Sequence, residues 1–272
     1  MRNSWKMGFS SAINLTSGAW KNGESPEGFD CVELAAWYHP QEDDSAREKC
    51  IQTLKQEYEL ACKQGLRVWS VHLPYGWGLD LTVEDDRSDE IFENFAYYVD
   101  NAIPVMPACF VVHVFTWEPF VPEDREAVVR QTNKNIKRLA EYISSKGSVL
   151  AVEALPRTNL GNTVSECLKL IEGTKAELCF DVNHLTTETH REFLQMAYKH
   201  IKTVHLSDYE FADEKHWVAG EGILDWKELL SLFDEYGYQG PLMFEVKHHR
   251  DGSPVSLKDI REGFYKAIGK EV

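Results

Sequence analysis

Acidic side chains stand within or at the end of short apolar runs in this 272-residue sequence. Glu153 lies in LAVEALP, Glu245 in LMFEV, and Asp181 ends the apolar run of ELCFDVNHL, residues 177–185. A carboxylate flanked by strand-forming apolar residues must be paired with a cation, protonated or bound to a metal ion. Arg157 is the main cationic candidate near Glu153. Asp181 keeps a second interpretation, because an aspartate between a strand and a helix also serves as a helix cap.

Histidines occupy comparable places in the sequence. His72, His113 and His205 end other apolar runs, and His184 follows Asp181 by three positions. A single histidine in an apolar run is more often a core residue with a satisfied nitrogen than a ligand. Two glutamates, an aspartate and two or more histidines on one rim would instead call for a divalent cation. Mixed oxygen and nitrogen ligands suit Mn²⁺, Zn²⁺, Co²⁺ or Mg²⁺.

Short apolar runs that alternate with amphipathic segments must position these side chains. The predicted strands cover residues 6–13, 29–36, 66–73, 109–115, 148–155, 177–183, 202–208 and 241–246. Nearly continuous apolar runs are typical of parallel strands that are buried on both faces. The predicted helices cover residues 45–65, 124–147, 163–174, 189–200 and 225–240. The polar, glycine-rich segment 14–28 is expected to be irregular.

Strands that alternate with helices over this length favour an α/β fold, a (β/α)8 TIM barrel. No linker or composition shift divides the chain, so residues 1–272 are predicted to form a single domain. A doubly wound open sheet is the alternative, but it usually carries a glycine-rich phosphate loop, and neither GxGxxG nor GxxxxGK[ST] occurs. In a barrel, the C-terminal ends of the strands converge on one rim, which would bring the acidic and histidine side chains together.

Composition narrows the class of protein. The formal net charge of −15 opposes a duplex-binding surface, so no nucleic-acid partner is expected. No run approaches the roughly 18 apolar residues of a membrane span, and the N-terminus lacks the apolar stretch of a signal peptide. The six cysteines are scattered singly, which fits buried thiols in a reducing compartment. We therefore expect a cytoplasmic protein without a membrane partner.

Five segments, in this order and spacing, resemble the xylose isomerase-like TIM barrels: VEALPR, FDVNH, VHLSD, HWVAGEGILDW and FEV. This superfamily includes sugar phosphate isomerases and epimerases, ketose 3-epimerases, inosose dehydratases and endonuclease IV. The resemblance spans nearly the whole chain and is clearest from the third predicted strand onward. It implies one divalent metal ion, held by Glu153, Asp181, His205 and Glu245.

The resemblance also implies a small carbohydrate substrate and a chemistry. Glu153 and Glu245 would exchange a proton with the carbon beside the substrate carbonyl. Return of the proton to the opposite face gives an epimerase, transfer to the next carbon an isomerase, and loss of a β-hydroxyl a dehydratase; the sequence does not separate these outcomes. His184 would bond a substrate oxygen, and His216 would contact substrate or a further metal. The expected substrate-binding set is His184, His216, His72, His113 and Arg157.

Two other functions remain as alternatives. Endonuclease IV holds a three-metal cluster, and this chain has histidines at matching positions: His72, His113, His184 and His216. Its D-x-H pair is replaced here by EKH, residues 214–216, which together with the acidic charge opposes phosphodiester chemistry. The third class is a barrel that binds a sugar without converting it. Loss of a metal carboxylate would signal that class, and none of the four is missing.

Some features leave alternatives open. His72 and His113 are either polar groups for sugar hydroxyls or packing residues. Tryptophans on or just after the second to fourth predicted strands either wall the substrate pocket or pack in the core: Trp37, Trp69, Trp77 and Trp117. Whether the substrate is phosphorylated and whether the protein forms a homodimer stay open.

Overall fold

A parallel barrel with helices around it is the architecture of the chain. A computed structural model of the protein describes residues 5–12, 20–36, 44–76, 79–84, 87–115 and 119–271. Its strands are β1 (Met7–Ser10), β2 (Cys31–Ala35), β3 (Arg67–His72), β4 (Cys109–Val112), β5 (Leu150–Glu153), β6 (Glu177–Asp181), β7 (Ile201–His205) and β8 (Leu242–Phe244). Each lies within one residue of a predicted run or inside it, so the predicted strand order is confirmed.

Neighbouring strands pair in parallel, in the order β7-β6-β5-β4-β3-β2-β1-β8. The two ends of this order meet just beyond β7, where Leu206 forms a parallel bridge with Phe244. The Leu206 amide donates to the Met243 carbonyl at 2.8 Å, and the Glu245 amide donates to the Leu206 carbonyl at 3.0 Å. These bonds close the sheet, and the TIM-barrel fold class is confirmed.

Seven α-helices surround the strands in the described part of the chain. They are α1 (Asp44–Lys63), α2 (Arg87–Asn101), α3 (Arg125–Ser145), α4 (Val164–Ile171), α5 (His190–Ala197), α6 (Trp226–Glu235) and α7 (Leu257–Ala267). Local capping fixes several starts: the Thr189 hydroxyl and the Glu192 carboxylate form a reciprocal capping box at α5. The sequence had not singled out α2 and α7 as helices. None of the described helices is long and apolar enough to cross a membrane.

The segment after β1 is the irregular one, as predicted for residues 14–28. Its described part, residues 20–28, contains turns and no helix. Trp37, Trp77 and Trp117 lie outside the described residues.

The two faces of each strand have different neighbours. Phe110, Val152 and Phe180 belong to the large apolar core between strands and helices. The alternate residues Cys109, Val111, Ala151 and Cys179 form a small separate cluster. Because side chains alternate along a strand, Glu153 shares the face of Ala151, and Asp181 shares that of Cys179. Both carboxylates therefore project toward the barrel interior at its C-terminal rim.

Candidate metal centre and substrate pocket

The four predicted metal ligands come together at this rim. Glu153, Asp181 and His205 end β5, β6 and β7, and Glu245 follows β8 directly. All four residues are buried, and one ligand atom from each lies within 4.8 Å of those from the other three. His205 Nδ1 is central: it lies 3.5 Å from Glu153 Oε1, 3.8 Å from Asp181 Oδ2 and 3.3 Å from Glu245 Oε2. These four residues are far apart in the sequence, and the closure of the barrel brings them to one point.

Two buried atoms in this group lack hydrogen-bond partners among the described residues, Asp181 Oδ2 and His205 Nδ1. The opposite atom of each side chain is engaged. Asp181 Oδ1 accepts from the Asn183 amide at 2.7 Å, and His205 Nε2 lies 3.1 Å from Glu33. A buried polar atom without a partner is costly, and an oxygen and a nitrogen that face one point suit a divalent cation. The donor set therefore fits the metal that the sequence predicts.

Asp181 combines the two interpretations that its sequence position allowed. Oδ1 caps the short 3₁₀ turn Val182–His184, as a helix-cap aspartate does. Oδ2 is left facing Glu153, His205 and Glu245. One carboxylate can therefore fix the turn and still present an oxygen to a metal.

Buried charge shifts the carboxylate pKa values in opposite directions. Burial raises the pKa of Asp181 to about 7, against the opposing effect of His184. Burial also raises the pKa of Glu153, but His113 and His205 outweigh it and hold that pKa well below its usual range. Three carboxylates in one buried site repel each other, so a cation held among them would stabilise the ionised forms.

His184 is oriented by the backbone. Its Nδ1 donates to the Ala154 carbonyl at 2.8 Å, and its Nε2 lies 3.1 Å from Glu214 Oε2. Burial lowers the pKa of His184, but Asp181 and Glu214 outweigh that effect and raise it to about 9. Nε2 is therefore the atom that points away from the four-ligand group, as expected of a substrate contact.

His216 has a similar arrangement on the loop after β7. Its Nδ1 lies 3.1 Å from the Glu245 carbonyl, and its buried Nε2 has no hydrogen-bond partner in the described structure. Burial, with a smaller contribution from Lys247, lowers the pKa of His216 to about 4. The backbone at His216 has φ 55°, a left-handed conformation that non-glycine residues adopt at a cost. Such strain is common where a side chain is held for function.

His72 and His113 converge on the other oxygen of Glu153. Their Nε2 atoms lie 3.2 and 3.1 Å from Glu153 Oε2. His72 Nδ1 lies 2.8 Å from the Leu73 carbonyl, and the Tyr75 ring stacks on His113 with centroids 4.2 Å apart. Both histidines therefore contact one of the predicted metal ligands, and their binding of sugar hydroxyls stays a prediction.

Arg157 lies at the mouth of the site, partly exposed. Its guanidinium is 2.7 Å from Asp213 Oδ1 and 3.3 Å from Glu214 Oε1. These pairs link the loop after β5 to the loop after β7. Arg157 also has a left-handed backbone, φ 58°. Arg157 thus lies where the two loops meet, at the edge of the site.

A cavity of about 230 Å³ lies above the four ligands. Seven of the nine predicted site residues line it: His72, His113, Glu153, Arg157, His184, His216 and Glu245. Asp181 and His205 are fully buried beneath it. The cavity is also lined by residues that the sequence did not single out as site residues, Tyr75, Glu214 and Lys247 among them. Trp69 is not part of its wall; the Trp69 indole donates to Thr203 Oγ1 at 3.1 Å and packs in the core.

The loop that carries His216 is built around Asp208. Its buried carboxylate accepts from four donors: the amides of Tyr209, Gly220 and Leu224 and the indole of Trp226. At Gly222 an added Cβ would lie 2.2 Å from Asp208 Oδ1, so glycine is required by the close approach. The segment HWVAGEGILDW therefore also fixes the conformation of the loop that carries His216, through its hydrogen bonds to Asp208.

The family follows from comparison with known proteins. The model of the xylose isomerase-like TIM barrel family matches residues 26–267, and the chain belongs to that family. An uncharacterised protein of Methanocaldococcus jannaschii is 24% identical over 186 residues, 65% of this chain and 61% of its own length. The match thus spans less than two thirds of that relative.

Solved structures share the fold at low sequence identity. A D-tagatose 3-epimerase-like protein has TM-score 0.77 and 21% identity over 97% of this chain and 98% of its own. D-psicose 3-epimerase, solved in the presence of D-fructose, has TM-score 0.71 and 16% identity over 97% of both chains. The IolI protein with a bound zinc atom has TM-score 0.74 and 14% identity over 97% of this chain and 98% of its own.

Proposed function

We propose that the protein is a metal-dependent isomerase or epimerase of a sugar, a sugar phosphate or an inosose. The observation that carries this proposal is the buried group of Glu153, Asp181, His205 and Glu245, with unpartnered atoms of Asp181 and His205 facing each other. The D-psicose 3-epimerase among the structures of like fold supports a sugar as the substrate class.

The two glutamates are proposed to move the proton. Glu153 and Glu245 approach the site from different strands, and each lines the cavity. One carboxylate removes the proton from the carbon beside the substrate carbonyl, and the other returns it. A divalent cation held by the four residues would polarise the carbonyl and lower the barrier to proton removal.

The remaining polar groups are proposed to orient the substrate. His184 Nε2 and His216 Nε2 are aimed by backbone carbonyls that hold the other ring nitrogen. His72 and His113 flank Glu153 on the opposite side, with the Tyr75 ring beside them as an apolar face for the substrate's C–H groups. Arg157 lies at the mouth of the cavity. This distribution suits a polyhydroxylated ligand that is contacted from several sides.

Solvent deuterium incorporation tests the proposal directly. Purified protein loaded in turn with Mn²⁺, Co²⁺, Zn²⁺ and Mg²⁺ is incubated in D₂O with a panel of ketoses, inososes and sugar phosphates. We expect deuterium at the carbon beside the carbonyl of at least one substrate. Loss of a β-hydroxyl from the same substrate would identify a dehydratase. Exchange with none of the panel would contradict proton transfer as the function.

Matched variants locate the activity. Glu245→Gln keeps the shape of the side chain but removes the base and a metal ligand, so exchange is expected to fall at least 10²-fold. Glu57→Gln is the control, because Glu57 is an equally buried carboxylate on α1 that pairs with Lys21 and does not line the cavity. Exchange by the Glu57→Gln protein should stay near that of the unaltered protein.

A second candidate is a multinuclear phosphodiesterase of the endonuclease IV type. Two further groups of side chains favour it, His72 with His113 and Glu153, and His184 with Glu214 and His216. Glu214 stands in the segment EKH where endonuclease IV has the aspartate of its D-x-H pair, so a carboxylate is still present at that position. Metal analysis separates the candidates, because the isomerase proposal expects one tightly bound ion and the phosphodiesterase three. Cleavage of abasic DNA would support the second candidate.

Three further expectations stay predictions. A small carbohydrate is the proposed partner, and neither nucleic acid nor a membrane surface is expected as a partner, given the formal net charge of −15 and the lack of a long apolar run. The cytoplasm is the expected compartment, and a homodimer the expected assembly if the protein associates.

A further inference from the structure

Glu33 is a buried carboxylate in the barrel that the proposed proton transfer does not use. It lies on β2 and is fully buried. The pairing of β2 with β3 shifts register between Val32 and Glu33, so that Glu33 faces Ser70. Such an irregularity re-aims a side chain, and bulges are frequent beside active sites. A carboxylate buried here must be held by specific donors.

Two donors from different strands hold Glu33. The Ser70 hydroxyl on β3 donates to Glu33 Oε2 at 2.7 Å. On β7, His205 Nε2 lies 3.1 Å from both Oε1 and Oε2. Strands β2 and β7 are not neighbours in the sheet, so the contact between Glu33 and His205 crosses the barrel interior.

This contact decides which nitrogen of His205 is available. With the Nε2–H donated to Glu33, Nδ1 is the nitrogen that faces Glu153, Asp181 and Glu245. Ser70 occupies Glu33 Oε2 and limits rotation of the carboxylate. A histidine that binds a metal commonly donates its other N–H to a carboxylate, which fixes the ring and makes it a stronger ligand.

We propose that Glu33 is a positioning residue, which holds the His205 ring and keeps its Nδ1 directed at the metal. This inference rests on the proposed metal site. It assigns Glu33 no contact with substrate. Replacement of Glu33 by an apolar residue would leave the buried His205 N–H without its acceptor, and the ring would lose its fixed orientation. Metal affinity is then expected to fall 10- to 100-fold, the usual effect of losing such a partner.

Cobalt titration of the 272-residue chain tests the proposal. Co²⁺ is added to metal-free protein, and the visible absorption bands report both affinity and ligand geometry. Glu33→Leu is expected to weaken binding 10- to 100-fold and to alter the bands. Glu33→Gln should weaken it less, because the amide oxygen still accepts from His205 and the amide nitrogen can donate to Ser70. The buried-carboxylate control Glu57→Gln should bind like the unaltered protein.

Nitrogen NMR of the zinc-loaded protein shows which nitrogen of His205 binds the metal and which carries the proton. A role of Glu33 in stability alone predicts neither of these states. The unaltered protein is expected to show His205 bound through Nδ1 with a protonated Nε2. If Glu33→Leu does not fold, two measurements still test the role of Glu33: which nitrogen of His205 binds zinc in the unaltered protein, and the Co²⁺ affinity of Glu33→Gln. Binding through Nε2 in the unaltered protein, or unchanged affinity and absorption in Glu33→Gln and any folded Glu33→Leu, would overturn the role of Glu33 alone. Failure of the unaltered protein to bind Co²⁺ or Zn²⁺ would overturn the metal site as well.

Discussion

Glu214 sits against His184, with Glu214 Oε2 3.1 Å from His184 Nε2. That nitrogen is the atom we assign to a substrate oxygen. The Ala154 carbonyl accepts a hydrogen bond from His184 Nδ1 and so fixes the ring. Nε2 is therefore the only ring nitrogen of His184 that can bond a ligand, and its direction is fixed. The Glu214 carboxylate therefore occupies the place where a substrate oxygen is expected, and a substrate must displace it.

Removal of this carboxylate is expected to improve substrate binding. In Glu214→Ala a substrate oxygen no longer competes for His184 Nε2, so KM should fall a few-fold while metal content stays unchanged. Steady-state kinetics and metal analysis of the same preparations measure both. Loss of bound metal from Glu214→Ala would contradict the one-metal site and favour the multinuclear candidate, in which Glu214 is a ligand.

Glu245→Gln is expected to lose the metal. The amide is a neutral and weaker ligand, and Glu245 Oε2 is the ligand atom nearest to His205 Nδ1, at 3.3 Å. Metal analysis after dialysis should find about one ion per chain in the unaltered protein and in Glu57→Gln, and much less in Glu245→Gln. Equal, near-zero metal in all three proteins would refute the site.

The strands and the four rim residues could be predicted because their signals are local. Apolar runs mark buried parallel strands, and a carboxylate such as Glu153 within a run needs a partner wherever the strand lies. The observed strands are shorter than the runs because the ladder ends before the apolar stretch does, as at β5, Leu150–Glu153. Closure of the barrel then brings the four rim residues together, as the predicted fold class requires.

Glu33 and Glu214 could not be assigned because their roles depend on geometry that the sequence does not carry. Glu33 faces His205 through a register shift in β2 and a contact between residues 172 positions apart. Glu214 reaches His184 because Asp208 folds the loop after β7 and His216 adopts a positive φ. The sequence of residues 214–216, EKH, shows neither the fold of this loop around Asp208 nor the positive φ of His216.

Asp208→Ala is expected to destabilise the protein strongly. The change leaves the Trp226 indole and the amides of Gly220 and Leu224 without their acceptor, and a buried network of this kind contributes about 3–5 kcal/mol. Urea unfolding at equilibrium measures the loss. Asp225→Ala is the matched control, since Asp225 only caps α6 and should cost about 1 kcal/mol. Equal losses in the two variants would contradict the scaffold role of Asp208.

His249 is expected to make stability depend on pH. Its Nδ1 lies 2.6 Å from Glu221 Oε1 and its Nε2 3.6 Å from Asp259 Oδ2, which joins the loop after β7 to α7. Burial lowers the pKa of His249, but the two carboxylates outweigh it and raise that pKa above its usual value. A histidine whose pKa is raised by folding stabilises the protein below its unfolded pKa of about 6.5, and this contribution is lost as pH rises through the folded pKa.

The difference in Tm between the unaltered protein and His249→Gln should therefore be largest at about pH 6 and shrink toward alkaline pH. Differential scanning calorimetry across this range measures it. His200→Gln, on the 3₁₀ turn Tyr198–His200, serves as the control variant. A Tm difference that stays constant with pH would mean that His249 stabilises the loops by packing, because only a proton bound more tightly in the folded state produces a pH-dependent difference.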